Sequence, residues 1–145
     1  MLVYVAAFAP DQGESALSLL GGFPTPPPIG NHVVIDSSGF FTIDETGIEE
    51  DFAQYLPEDK RRILGATQGP ISAAAFTGAA TSPAWKTKSS WFIVAKQDRA
   101  IPPGLEEAMA TRMGAHTTAL STCHVAMLDM ALKVADVITV AAGGM

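Results

Sequence analysis

Two residues have types and positions that suit proton transfer. Asp98 closes the stretch Trp91-Phe92-Ile93-Val94-Ala95-Lys96-Gln97-Asp98, and His124 follows the shorter run Thr117 to Ser121. An apolar run of strand length, without polar alternation, suits a strand buried on both faces of a parallel sheet. That strand and a shorter one over Thr117 to Ser121 put Asp98 and His124 just past their carboxyl ends, on one rim of the sheet. A carboxylate there can fix the imidazole tautomer and stabilise the imidazolium that forms when the ring takes a proton. Spacing alone leaves two plainer readings open. Asp98 suits a turn, paired with Arg99 or Lys96, and His124 suits a cap on the final helix.

A third group is needed for hydrolysis. A serine nucleophile on a strand-to-helix turn requires Gly-x-Ser-x-Gly, and no such pentapeptide occurs. Ser15, in Gly13-Glu14-Ser15-Ala16-Leu17, lacks the second glycine. The oxyanion donors go with that turn, so they are not expected either. Cys123 adjoins His124, but sequence neighbours usually point apart, and a lone cysteine more often fills a core. His32, His116 and His124 show no ligand spacing, so neither a metal nor a cofactor is expected.

The elements that must position the pair follow from apolar runs and turn residues. Leu2 to Phe8 reads as a buried strand, ended by Pro10-Asp11-Gln12-Gly13. A short helix from Glu14 to Leu20 stops at Gly21-Gly22. Phe23 to Pro28 is a proline-extended loop. Val33 to Asp36 and Phe40 to Ile43 flank Ser37-Ser38-Gly39 as a hairpin. Residues 48 to 80 read as helical, with Phe52, Tyr55 and Leu56 on one face, a helix start at Pro57, and an alanine-rich third helix from Ile71. Strand Trp91 to Ala95 follows, then a helix from Gly104 to Met113 and a strand from Thr117 to Ser121. The last helix runs from Val125 to Ala141, with Val134, Val137, Ile138 and Ala141 on its inner face. Strands alternating with helices imply a parallel sheet with right-handed crossovers. The long insertion would lie over the carboxyl ends of its strands, where such sheets bind ligands.

The bulk numbers set limits. The 145 residues suit one domain, and 48% hydrophobic with 17% charged residues argues for a packed core. A net charge of −6 leaves no basic footprint for nucleic acid. No apolar run approaches the ~20 residues of a membrane span. The N-terminus lacks the basic region of a signal peptide, which favours the cytoplasm. One cysteine excludes an intramolecular disulfide.

Three motifs carry a family resemblance. Leu2 to Ser15 resembles the sixth strand and following turn of the esterase-like α/β-hydrolases. Ser90 to Pro103 resembles their seventh strand and acid loop. Met113-Gly114-Ala115 with Cys123 to Leu128 resembles their eighth strand and histidine loop. The match covers the chain in the right order. It implies the C-terminal part of an α/β-hydrolase fold: about three parallel strands with flanking helices and a mostly helical cap. Residues 1–13 and 85–145 would form the core and 14–84 the cap-like insertion. Asp98 would be the triad acid and His124 the general base, with Asp11 as the alternative acid. Phe23, Phe40, Phe41, Phe52 and Trp85 are the pocket candidates, for a small apolar ligand. The implied ancestral reaction is hydrolysis of small esters or related acyl compounds.

On that correspondence the first five strands, the nucleophile and the oxyanion hole lie outside the chain. The isolated chain is then expected to be inactive, and a non-enzymatic binding or self-associating module is the alternative function. The first strand would be an apolar edge, a known association hazard. A homodimer, or a partner chain carrying the complementary N-terminal half, is expected on it, with no nucleic-acid or membrane partner. Ser89 stands where the family commonly has proline, and Gly143-Gly144-Met145 reads as a native end.

Overall fold

The centre of the molecule is a strand whose residues are almost all hidden. Ser90–Ala95 has Phe92, Ile93, Val94 and Ala95 all at 0% exposure in the computed structural model, which describes residues 1–143. Gly144 and Met145, part of the expected native end, lie outside the described residues. Each fully buried large apolar side chain contributes about 1.5–3 kcal/mol.

The elements in chain order are β1 (Leu2–Val5), α1 (Ala16–Gly21), β2 (Val33–Ile35), β3 (Phe40–Ile43), α2 (Glu45–Gly47), α3 (Glu58–Thr67), β4 (Ile71–Ser72), α4 (Ala74–Thr77), β5 (Ser90–Ala95), α5 (Pro103–Met113), β6 (His116–Leu120), α6 (Ala126–Asp129) and α7 (Ala131–Ala141). One sheet has the order β1-β5-β6 and is parallel throughout. β2, β3 and β4 form a second, antiparallel sheet within the insertion.

The two faces of β5 are covered by different helices, because successive side chains on a strand point to opposite sides. Phe92 and Val94 pack with Leu105, Met109 and Ala110 of α5. Ile93 packs with Val134 of α7, Ala126 of α6 and Leu120. α1 adds Leu19 and Leu20 to the α5 side, and Tyr4 stacks on Phe92 at 5.6 Å. α5 ends at Gly114, whose φ of 61° is the left-handed cap that glycine adopts without penalty. A third cluster joins the insertion to the histidine loop: Ile48, Ala53 and Leu56 pack on Cys123 and Val125. Cys123 is thus a buried core residue.

Three expected elements and one expected helix face differ. β1 ends at Val5, not Phe8, because Ala6 takes a φ of +44° and turns the chain. That conformation is costly for a residue with a Cβ. Ile71 to Ala80 is not one helix. Ile71 and Ser72 pair with Phe41 and Phe40 as β4, and only Ala74–Thr77 is helical. The last helix breaks at Met130, between α6 and α7. Ile138 faces outward at 44% exposure, so the inner face is Val134, Val137 and Ala141. Among the described residues, the edge of β1 away from β5 has no strand partner. Met127, Leu128, Leu132 and Val140 of α6 and α7 are exposed.

Within the insertion, the chain packs tightly at Gly47. A Cβ there would lie 2.5 Å from His32 Cβ and 2.6 Å from Ile43 Cγ2. Gly47→Ala is therefore expected to cost about 1–3 kcal/mol of stability, as overpacking of a filled site does. A denaturant midpoint unchanged from the parent protein would contradict this packing.

Candidate active site

The β5–β6 ladder continues past the ends of both strands. Lys96 N–H donates to Leu120 O at 2.9 Å, and Gln97 N–H donates to Thr122 O at 3.1 Å. The two loops that leave the sheet are therefore tied together before they diverge. Asp98 emerges from one and His124 from the other. Their side chains meet: His124 Nδ1 lies 2.7 Å from Asp98 Oδ2.

The carboxylate is well supplied with donors. Asp98 Oδ1 accepts from the N–H groups of Ala100 at 2.6 Å and Ile101 at 2.8 Å. The Asp98 side chain has no exposed surface, and that of His124 has 22%. With Asp98 ionised, Nδ1 of His124 is the donor, and Nε2 keeps its lone pair. The imidazole also packs against Phe52, with ring centroids 4.9 Å apart. The turn reading of Asp98 and the dyad reading therefore both describe real contacts. The pairing with Arg99 or Lys96 does not occur: Arg99 goes to Asp51, and Lys96 to Glu107.

Beside this pair lies a cavity of about 600 Å³. Its floor is the turn at the end of β1 (Ala6, Ala7, Phe8) with Ala100, Ile101 and His124. Its roof comes from the insertion, including Ile29, Val33, Ile35, Phe41, Phe52 and Phe76. Thr77 and His124 carry the polar side chains of its lining. Three aromatic rings of its lining join floor to roof: Phe76 meets Phe41 edge-on at 5.0 Å and Phe8 at 6.3 Å. The cavity sits at the carboxyl ends of the parallel strands, the usual ligand position in open α/β sheets.

The roof is fixed to the acid loop by charge and by backbone. Arg99 Nε donates to Asp51 Oδ1 at 2.5 Å, and Asp51 is 2% exposed. His32 Nε2 lies 3.7 Å from the other Asp51 oxygen, and its Nδ1 lies 3.1 Å from Asp44. Asp44 accepts from Gly47 N–H, which together with His32 holds its carboxyl below the usual range. Gln54 Nε2 donates to Gln97 O at 2.7 Å, and Ile29 N–H donates to Arg99 O at 3.2 Å. Asp51 and Phe52 share one wide π-helical turn, Ile48–Phe52. That turn presents an anion to the acid loop and a ring to His124.

Of the five aromatic pocket candidates, Phe41 and Phe52 line the cavity, and three do not. Phe23 packs into the α5-side core, where its ring would touch a Cβ placed on Gly104. Phe40 points out of its strand and is 40% exposed. Trp85 donates its indole N–H to Pro10 O at 3.0 Å and lies under Arg112. Asp11 is ion-paired with Lys86, and that ammonium with the Gln12 N–H holds its carboxyl below the usual range. The acid that meets His124 is Asp98. Phe8 and Phe76 were missed. Phe8 stands at the end of an apolar run that reads as strand throughout, and Phe76 in a stretch whose alanines read as one helix.

Three solved structures share this architecture. A polyneuridine aldehyde esterase matches over 96% of this chain and 61% of its own, at a TM-score of 0.74 and 11% identity. A pyrethroid hydrolase matches over 94% and 58%, at 0.72 and 15%. A tomato methylketone synthase I, complexed with 2-tridecanone, matches over 99% and 62%, at 0.69 and 12%. At such identities the likeness is one of fold. The chain has the fold of the C-terminal part of an α/β-hydrolase and spans about three fifths of the length of these structures. No protein-family model and no curated protein matches the sequence.

Asp98→Ala would leave two backbone N–H groups and one imidazole N–H without their acceptor. The expected loss is about 3 kcal/mol, since each buried donor left unpaired costs ~1–3 kcal/mol. Asp98→Asn, which keeps an oxygen for Ala100 and Ile101, should lose clearly less. Equal unfolding midpoints for the two variants would mean that the loop does not depend on these bonds.

Proposed function

We propose that this chain supplies the acid, the base and the substrate cavity of a hydrolase for small apolar esters, while the nucleophile comes from outside these residues. The observation that carries the reading is the 2.7 Å contact of His124 with a buried Asp98 beside an apolar cavity. In this reading Nε2 of His124 takes a proton from an attacking hydroxyl and returns it to the leaving alkoxide. Asp98 holds the ring in that tautomer and stabilises the imidazolium. The apolar walls bind the hydrocarbon part of an acyl or alkyl group and offer little to a charged or sugar-like substrate. The names of the fold's neighbours, one an esterase and another a pyrethroid hydrolase, support the substrate class.

A second reading has its own support. The residues of this chain alone form an apolar cavity of about 600 Å³, and no Gly-x-Ser-x-Gly turn occurs among them. A module that binds a small apolar molecule needs nothing more.

One assay separates the two. The chain alone is expected to cleave a p-nitrophenyl ester no faster than free imidazole and to take no fluorophosphonate label. Turnover above that level, lost in His124→Ala, would locate a nucleophile inside these residues. Expressed with in-frame coding sequence upstream of Met1 that holds a Gly-x-Ser-x-Gly turn, it should gain turnover that falls about 10³-fold or more in His124→Ala. Turnover indifferent to His124 would remove the dyad from the mechanism.

The same reading requires a partner for β1. Its free edge, with the exposed apolar side chains of α6 and α7, suits a second copy of the chain or a segment carrying the neighbouring strands. Sedimentation at micromolar concentration should show self-association of the isolated chain. A well-folded monomer would count against it.

A further inference from the structure

A second carboxyl group is buried behind the dyad, and neither the sequence reading nor the triad chemistry uses it. Glu106, in the first turn of α5, has 0% exposure. Its Oε2 accepts the N–H of Ala95, the last residue of β5, at 2.9 Å. Its Oε1 is buried and finds no donor. Its own N–H donates to Pro102 O, so the side chain lies beside the Ala95–Pro102 segment, where the charge that acts on it is that of Asp98, itself a carboxylate. Among the described residues, no lysine or arginine is ion-paired with either carboxyl. Lys96 is drawn to Glu107 at the surface, Arg99 to Asp51 and Arg112 to Glu14. Two carboxylates in contact inside a protein cannot both keep their charge, so one takes a proton.

The hydrogen bonds decide which one. Asp98 receives three donors: the N–H groups of Ala100 and Ile101, and the His124 ring. Glu106 receives one. The anion is therefore better solvated on Asp98, and the proton belongs on Glu106. There it also resolves the partnerless oxygen, because a protonated carboxyl has an O–H to give. We propose that Glu106 is a neutral carboxylic acid that donates a hydrogen bond to Asp98 and so acts as a positioning residue for the Asp98–His124 pair. This rests on the reading of that pair as acid and base.

The electrostatics agree. Burial, followed by the hydrogen bond and charge of Asp98, pushes the Glu106 carboxyl up from an ordinary 4.5 to about 10. The Ala95 N–H opposes this and does not reverse it, and Glu107 adds a small push in the same direction. His124 faces Asp98 from the other side, so the pair of carboxyls carries one negative charge, placed next to the imidazole.

Glu106→Gln keeps the shape and an N–H donor, and Glu106→Leu keeps the bulk alone. At pH 7 the parent chain should show the infrared carbonyl band of a protonated carboxylic acid, and Glu106→Gln should lack it. A neutral acid stabilises the fold fully below pH 4.5, and that contribution is lost as pH rises toward 10. Between those values the unfolded-to-folded ratio of the parent should therefore climb, relative to Glu106→Gln, by up to about tenfold per pH unit. The His124 Nδ1 proton should exchange with water about tenfold faster or more in Glu106→Leu, and near the parent rate in Glu106→Gln.

Absence of the band, with parallel stability profiles for parent and Glu106→Gln, would overturn the neutral acid. Unchanged exchange of the His124 proton in Glu106→Leu would overturn the positioning role. If the leucine variant does not fold, the infrared band and the glutamine comparison still decide the protonation. None of these readouts involves turnover, so a failed ester assay would count against the hydrolase reading without touching them.

Discussion

A carboxylate with no exposed surface is costly unless donors surround it, by several kcal/mol per uncompensated charge. Asp98 is such a group, and much of the molecule is arranged to satisfy it. Residues 98–101 must curl so that the Ala100 and Ile101 N–H groups point back at Oδ1. β6 must run parallel to β5 in the observed register so that the histidine loop arrives at Oδ2. Glu106 must approach from α5 without adding a second charge. Each requirement links a different element to one side chain. The site and the fold of residues 90–129 are in that sense a single constraint.

The insertion meets that constraint from above. Arg99 is next to Asp98 in sequence, yet it turns away to Asp51 on the roof of the cavity. One loop thus faces two ways: Asp98 inward to His124, Arg99 outward to the insertion. Gln54 and Ile29 add backbone bonds to the same loop. The roof cannot shift without disturbing the loop that carries the acid. The cavity between them is apolar because nearly all the side chains that line it are aliphatic or aromatic, while the anchoring ions lie outside it.

The parts of the fold that were legible in the sequence share a physical basis. β5 could be read because a strand covered by helices on both faces must be apolar at nearly every position. The hairpin could be read because Asp36 and Gly39 supply turn chemistry, with Asp36 accepting from Ser38 and Phe40. The end of β1 could not. Ala6 is held at positive φ by its surroundings, and alanine does not announce it. The stretch 71–80 misled for a related reason: its alanines favour helix, but pairing with Phe40 and Phe41 claims the first two residues. Among the aromatics, composition distinguishes none. Phe41 and Phe40 are neighbours, and strand alternation sends one into the cavity and the other to solvent.

The sequence by itself determined that the fold is α/β with a parallel sheet and that Asp98 and His124 fall just past the ends of its strands. These follow from local quantities: apolar run length, turn residues, and the rule that side chains just past parallel strands share a rim. Only the tertiary structure decided that the two meet at 2.7 Å, that Phe8 and Phe76 close the cavity, and that Glu106 lies against Asp98. In the sequence Glu106 is one of two adjacent glutamates on a helix. Its partner Glu107 is at the surface with Lys96, while Glu106 is buried against a carboxylate. A helix rotates by about a hundred degrees between neighbours. Which of the two faces inward depends on how the helix packs, and that is settled by contacts far apart in the chain.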